Sequence, residues 1–113
     1  MRMWLCKPEI LCQKHLCGEH LEMHMFVGTL REGKKIDGYL KNNLFEPRFL
    51  HQRHKDLADE MIRRGYNHKT PLYEVDCAPI LDLTDEQQYW EVDRESALRD
   101  LLSRCPKCRD RSA

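Results

Sequence analysis

From Lys14 onward, the stretch KHLCGEHLEMHMFVG repeats apolar positions at helical spacing. Leu16, His20, Met23, Val27 and Leu30 fall on one face, while His15, Glu19, Glu22 and Phe26, at i, i+4, i+7 and i+11, fall on the next. The pattern predicts a helix from about Pro8 to Arg31. Pro8 suits a first helical turn, Glu9 beside it favours the positive helix end, and Gly33 stops the helix. Gly18 and Gly28 weaken this helix, and Gly18 suggests close approach of another segment, such as the N-terminal arm. A second stripe, Leu50, His54, Leu57, Ala58 and Met61, predicts a helix opening at Glu46-Pro47 and stopping at Gly65. Gln52, Lys55, Asp56, Asp59 and Arg63 form its solvated side.

The remaining segments read as connections and one more helix. Met1 to Lys7 is an apolar arm that packs Trp4 and Leu5 onto the helices. Lys34–Leu44 has turn residues and no sustained period, so it is expected to be a basic loop. Gly65–Pro71 is a loop, and Tyr73–Leu83 is expected to be extended and acidic. Thr84 with Gln87 forms a capping box before Tyr89 and Trp90. Asp93 caps a final helix with Ala97, Leu98, Leu101 and Leu102 in its core, ending near Cys105-Pro106. The expected class is all-α: a compact single domain over residues 1–113, with three main helices, long connecting loops and a CPKC tail at 105–113.

Composition changes this picture in three ways. At 113 residues the chain suits one modest core. Its opening is charged too early for a secretory signal, and no apolar run is long enough to span a membrane. The expectation is a cytoplasmic protein. The formal charge is zero, but residues 1–72 hold 13 basic and 9 acidic side chains and every histidine, whereas residues 73–113 hold 6 and 10. The last 15 residues turn basic again, with 5 against 2, so two basic stretches can form one DNA-binding face if the chain ends meet. The six cysteines read as reduced thiols. Cys105 and Cys108 form half of a zinc site that Cys12 and Cys17, or Cys6, would complete if the C-terminus docks on the first helix; His20 and His24, an i,i+4 pair, are a second zinc candidate, weighed against an ordinary helix surface. A zinc deaminase signature is excluded because Pro106 follows Cys105 instead of preceding it.

Glu22, set among Leu21, Met23 and Met25, is the sheltered carboxylate best suited to acid–base or charge-stabilising chemistry. KHLCGEHLEMHMFVG and FLHQRHKDLADEMIRRGYN together resemble the pyrimidine-dimer DNA glycosylase family, the endonuclease V-like enzymes. The shared features are a histidine, a glutamate four residues on and another three further, here His15, Glu19 and Glu22, and the closing turn Arg63-Arg64-Gly65-Tyr66-Asn67. The resemblance covers residues 1 to about 70. It implies an all-α protein whose N-terminal arm threads between helices, and a nucleophilic α-amine that attacks the sugar C1′ of a damaged nucleotide. An imine then permits β-elimination, so glycosylase and abasic-site lyase activities share one site. The family's nucleophile falls on Met1, retained because Arg2 is large, and its catalytic glutamate falls on Glu22.

An α-amine titrates near 7.7–8.0, against about 10.4 for lysine, so part of it is neutral at pH 7; Arg2 is expected to lower it further. DNA contacts are expected from Arg2, Lys14, His15, Glu19, Arg31, Lys34, Lys35, Arg48 and Arg53. The family's arginine before the catalytic glutamate is Leu21 here, so cyclobutane dimers, another lesion and plain abasic sites all remain as substrates. The expected partner is damaged double-stranded DNA, met by a monomer at the nucleoid of a bacterial or phage-infected cell, with no catalytic cofactor and no catalytic metal. The competing reading is a small helical DNA- or protein-binding module, stabilised by zinc and without catalysis.

Overall fold

In a computed structural model describing residues 1–113, the chain is all-α and contains no strand. Its α-helices are α1 (Gln13–Arg31), α2 (Asp37–Lys41), α3 (Leu50–Arg63), α4 (Asp85–Gln88), α5 (Arg94–Arg104) and α6 (Pro106–Ser112). No helix is long and apolar enough to cross a membrane. The two amphipathic stripes pack on each other. α1 buries Leu16, Met23, Phe26, Val27 and Leu30, and α3 buries Leu50, Leu57, Ala58 and Met61. Burying a Leu, Val, Phe or Met side chain contributes about 1.5–3 kcal/mol, which outweighs the weak intrinsic propensities of these segments. Phe26 stacks on Phe45 with ring centroids 4.0 Å apart, which joins α1 to the segment before α3.

Gly65 stops α3 with φ +82°, while the Tyr66 N–H donates to the Met61 carbonyl at 2.8 Å. Beyond it, α5 is capped by Asp93, whose side chain accepts the Ser96 N–H. Glu46 then ties α5 to the core: it takes both outer nitrogens of Arg94, at 3.0 and 2.9 Å, and the Val92 N–H at 2.9 Å.

The N-terminal arm is buried as the apolar pattern predicts, with Met3, Trp4 and Leu5 all in the core. The Met3 N–H donates to the Leu44 carbonyl at 2.7 Å. Leu5 adopts φ +56°, a left-handed conformation that costs a non-glycine residue about 1–2 kcal/mol and turns the arm inward. The arm runs between α1 and α5, with Arg2 bonded to Glu22 on one and Asp100 on the other.

Four local expectations are corrected. The first helix does not run from Pro8: a 3₁₀ turn at Pro8–Ile10 is followed by an extended Leu11 and Cys12 before α1 starts at Gln13. Lys34–Leu44 is not all loop, because Asp37–Lys41 closes into α2 around the buried Leu40. Glu74–Asp82 forms a 3₁₀ helix instead of an extended segment, held by the Tyr73 N–H donating to Asp76. Gly18 marks no close approach, since a Cβ there would meet nothing within 4 Å.

Candidate active site

The outward face of α1, the start of the arm and Arg104 of α5 border an open cavity of about 450 Å³, lined by Met1, Arg2, Trp4, His15 and Glu22 among others. The Met1 α-amino nitrogen is 3.5 Å from Glu22 Oε1, and the Arg2 backbone N–H donates to the same oxygen at 3.0 Å. Glu22 keeps 26% of its side chain exposed, so it is sheltered but reachable. The Arg2 guanidinium lies 3.6 Å from the Trp4 ring centre and donates to Asp100 at 2.8 Å. Burial weakens its hold on the proton, and Asp100 offsets part of that loss. Arg2 Nε is buried and meets no protein hydrogen-bond acceptor. The cavity therefore combines a potential nucleophile, a carboxylate touching it and fixed positive charge.

Glu19 and Arg53, expected to contact DNA, are instead buried against each other. Arg53 Nε donates to Glu19 Oε2 at 2.6 Å and Nη2 to Oε1 at 2.9 Å, while Nη1 donates to the Cys6 carbonyl at 2.7 Å. Burial opposes the charge on Arg53, but the bidentate carboxylate outweighs it and holds the guanidinium more firmly protonated. This pair is a strut joining α1, α3 and the arm. Surface placement failed as an expectation because α3 packs over the Glu19 side of α1.

The other predicted cations lie on the surface and do not line the amine cavity. Lys14, Lys34, Lys35, Arg31 and Arg48 are exposed. Arg31 pairs with Asp76 at 2.7 Å and Lys34 with Glu32 at 2.8 Å, and Arg48 lies over the Tyr89 ring at 4.4 Å. A larger cavity of about 600 Å³ borders Arg48, His51, Val75 and Tyr89, away from the amine.

The sequence missed one ligand. Cys12, His15, Cys105 and Cys108 place their ligand atoms within 4.8 Å of one another. Cys12 Sγ is 3.8 Å from Cys105 Sγ and 3.2 Å from His15 Nδ1, and Cys108 Sγ is 3.5 Å from that nitrogen. Tetrahedral zinc with Zn–S near 2.3 Å and Zn–N near 2.0–2.1 Å requires about 3.8 Å between sulfurs and about 3.5 Å from sulfur to nitrogen. The cluster is compatible with structural zinc. Cys17, predicted as a ligand, lies outside it, and His15 takes its place. The legible signal was the matched spacing of Cys12-x-x-His15 with Cys105-x-x-Cys108. Burial pushes the Cys108 thiol up. At Cys105 burial acts the same way, but hydrogen bonds led by the Cys108 N–H prevail and hold it low.

A family model described as pyrimidine dimer DNA glycosylase matches residues 1–74, the span from the arm through α3 and the connection after it. No curated protein and no solved structure matches the chain.

Proposed function

The chain belongs to the pyrimidine dimer DNA glycosylase family, and on that premise we propose that it is a DNA repair glycosylase and abasic-site lyase acting through the Met1 amine and Glu22. The carrying observation is that the amine nitrogen and the Arg2 N–H converge on one oxygen of Glu22 at 3.5 and 3.0 Å, inside an accessible cavity. The neutral amine attacks C1′ of the damaged nucleotide. The C1′–base bond breaks and the pyrimidine leaves with the bonding pair; the nitrogen now bound to C1′ loses a proton, its lone pair forms the C=N bond of an imine as the C1′–O4′ bond breaks, and O4′ takes those electrons and a proton. Removal of a C2′ proton then expels the 3′ phosphate by β-elimination. Glu22 stabilises the cationic sugar during the first step and carries protons in the second.

Duplex DNA hides C1′, so the substrate must be kinked or its base extruded, which costs least at a lesion that stacks badly. Arg2 and His15 line the cavity and suit the sugar and phosphate there. Lys14, Arg31, Lys34, Lys35 and Arg48 are outer phosphate contacts. With zero formal charge, binding to undamaged DNA is weak, so recognition rests on the lesion.

Zinc at Cys12, His15, Cys105 and Cys108 fits this reading as a structural element. It clamps α6 onto the start of α1 and fixes His15 at the cavity wall, with no part in the bond-breaking steps. The same cluster and the neutral charge favour the second reading, a zinc-stabilised binding module on this scaffold.

Borohydride trapping on duplexes carrying a thymine dimer or an abasic site separates the readings. The expected result is a covalent adduct mapping to Met1, lost when residues are added before Met1. Folded protein that binds these duplexes without any adduct establishes the module; base release without an adduct retains the glycosylase and removes the imine.

A further inference from the structure

On the other side of α1 lies a second cluster that the proposed chemistry does not use. His20 and Glu22 are two residues apart, which turns them about 160° from each other round the helix. His20 and His24 of α1, His54 of α3 and His68 of the connection after α3 converge there. The ligand nitrogens of His20, His54 and His68 all lie within 4.8 Å of one another. His20 and His54 are only 5% and 4% exposed. His68 Nε2 is 3.0 Å from His20 Nε2, and His54 Nε2 is 3.1 Å from His24 Nε2.

Hydrogen bonding accounts for this arrangement only with close crowding of the imidazoles. His24 Nε2, His54 Nε2 and the Thr70 carbonyl oxygen form a triangle with all three sides 3.1 Å. An imidazole nitrogen offers in its ring plane either one proton or one lone pair. If both nitrogens carry protons, both donate to the two lone pairs of the Thr70 oxygen, but the two N–H groups are crowded by an N···N separation of 3.1 Å. If only one does, the lone pair of the other faces the Thr70 oxygen or is left facing it after accepting the bond. If neither does, three lone pairs meet. The doubly protonated state is satisfied but crowded and every other one sets lone pairs against one another, whereas a cation among the neighbouring imidazoles accepts their lone pairs without conflict.

We propose that His20, His54 and His68, with His24 beside them, form a binding site for a divalent transition cation of the zinc type. Neutral imidazole is a preferred ligand for zinc, and tetrahedral Zn–N bonds of 2.0–2.1 Å place ligand nitrogens about 3.3 Å apart, close to the 3.0 Å approach of His20 and His68 and within the 4.8 Å span of the three. The ligands come from α1, α3 and the chain after Gly65, so the ion pins the His68–Thr70 segment to the two long helices. The site stands apart from the Cys12–His15–Cys105–Cys108 cluster and contains no sulfur.

That difference provides the test. Full-length protein is stripped of metal under reducing conditions and titrated with zinc by equilibrium dialysis, then with cobalt, whose bonds to thiolate give strong near-ultraviolet absorption that imidazole ligands do not. Wild-type protein is expected to bind one more ion than its thiolate absorption accounts for. His68→Gln, on a half-exposed loop residue, is expected to lose that ion while the thiolate absorption stays unchanged. Its affinity at this site should fall more than about 100-fold, since loss of even an outer partner of a metal ligand costs about 10–100-fold. His20→Gln provides the second variant, with circular dichroism confirming the fold. No ion beyond the thiolate-bound one, or equal binding by wild type and both folded variants, overturns the proposal and leaves a hydrogen-bonded histidine cluster. Both outcomes are independent of DNA trapping.

Discussion

Glu19 and Glu22 stand about one turn apart on α1, but the first is sealed against Arg53 with none of its side chain exposed, while the second keeps 26% of its side chain open beside the Met1 amine. Glu19 has both oxygens taken by a rigid guanidinium at hydrogen-bond distance. Glu22 holds one backbone N–H and a looser contact with an amine. A carboxylate whose two oxygens are both held by a buried guanidinium is committed to the fold. One that keeps an oxygen in reach of a nucleophile and solvent has capacity left for chemistry. The difference lies in what packs over each residue, since helix and residue type are the same and the two side chains are only about 60° apart round it.

Substitution separates the two roles. Glu22→Gln is expected to reduce trapping and base release by about 10²–10⁴-fold, the span of general acid–base contributions, with little change in the unfolding midpoint. Unchanged trapping would remove Glu22 from the chemistry. Glu19→Gln should do the reverse, destabilising the protein by about 3–5 kcal/mol in urea unfolding because it leaves a buried guanidinium without its counter-charge. A loss below about 1 kcal/mol would show the pair to be wetter than its burial implies.

Glu60 offers a third carboxylate between these extremes. Arg63, then Arg64, hold its carboxyl down at about 2 against the burial that would raise it, from an ordinary 4.5. The folded value is depressed, so its stabilisation is present above about 4.5 and is lost as pH falls toward about 2. Acid titration of unfolding free energy should be shallower over that window in Glu60→Gln than in wild type, and identical slopes would contradict the assignment. The exposed Lys55–Asp59 pair, 2.7 Å apart on α3, sets the bottom of the scale. Lys55→Ala should change stability by less than about 0.5 kcal/mol in the same urea experiment.

The two long amphipathic helices, their stops at Gly33 and Gly65, the buried arm and the caps at Thr84 and Asp93 were legible because each depends on residues within a few positions of one another. The short elements were not. α2 closes round Leu40, whose burial comes from distant parts of the core, and the 3₁₀ helix at Glu74–Asp82 forms in a segment with no helical period. At the candidate site, Met1, Arg2, His15 and Glu22 were named together from the sequence and line one cavity. Arg53 was misplaced because a charged residue on an apolar stripe gives no sign of its partner. His54, placed in the apolar stripe of the second helix, has imidazole neighbours that no local pattern contains.

Local order therefore determined the all-α class, the main helical stripes and a family pattern over the first part of the chain, since hydrophobic period and capping act through neighbours at i+3 and i+4. Tertiary structure decided which glutamate is a strut and which stays open, that His15 and not Cys17 joins Cys12, Cys105 and Cys108, and that His20, His54 and His68 converge with His24 beside them. Those outcomes depend on contacts between residues up to 96 positions apart, as in the Cys12–Cys108 bond. Burial and electrostatic pairing follow distance in space, which the order of residues along the chain does not state.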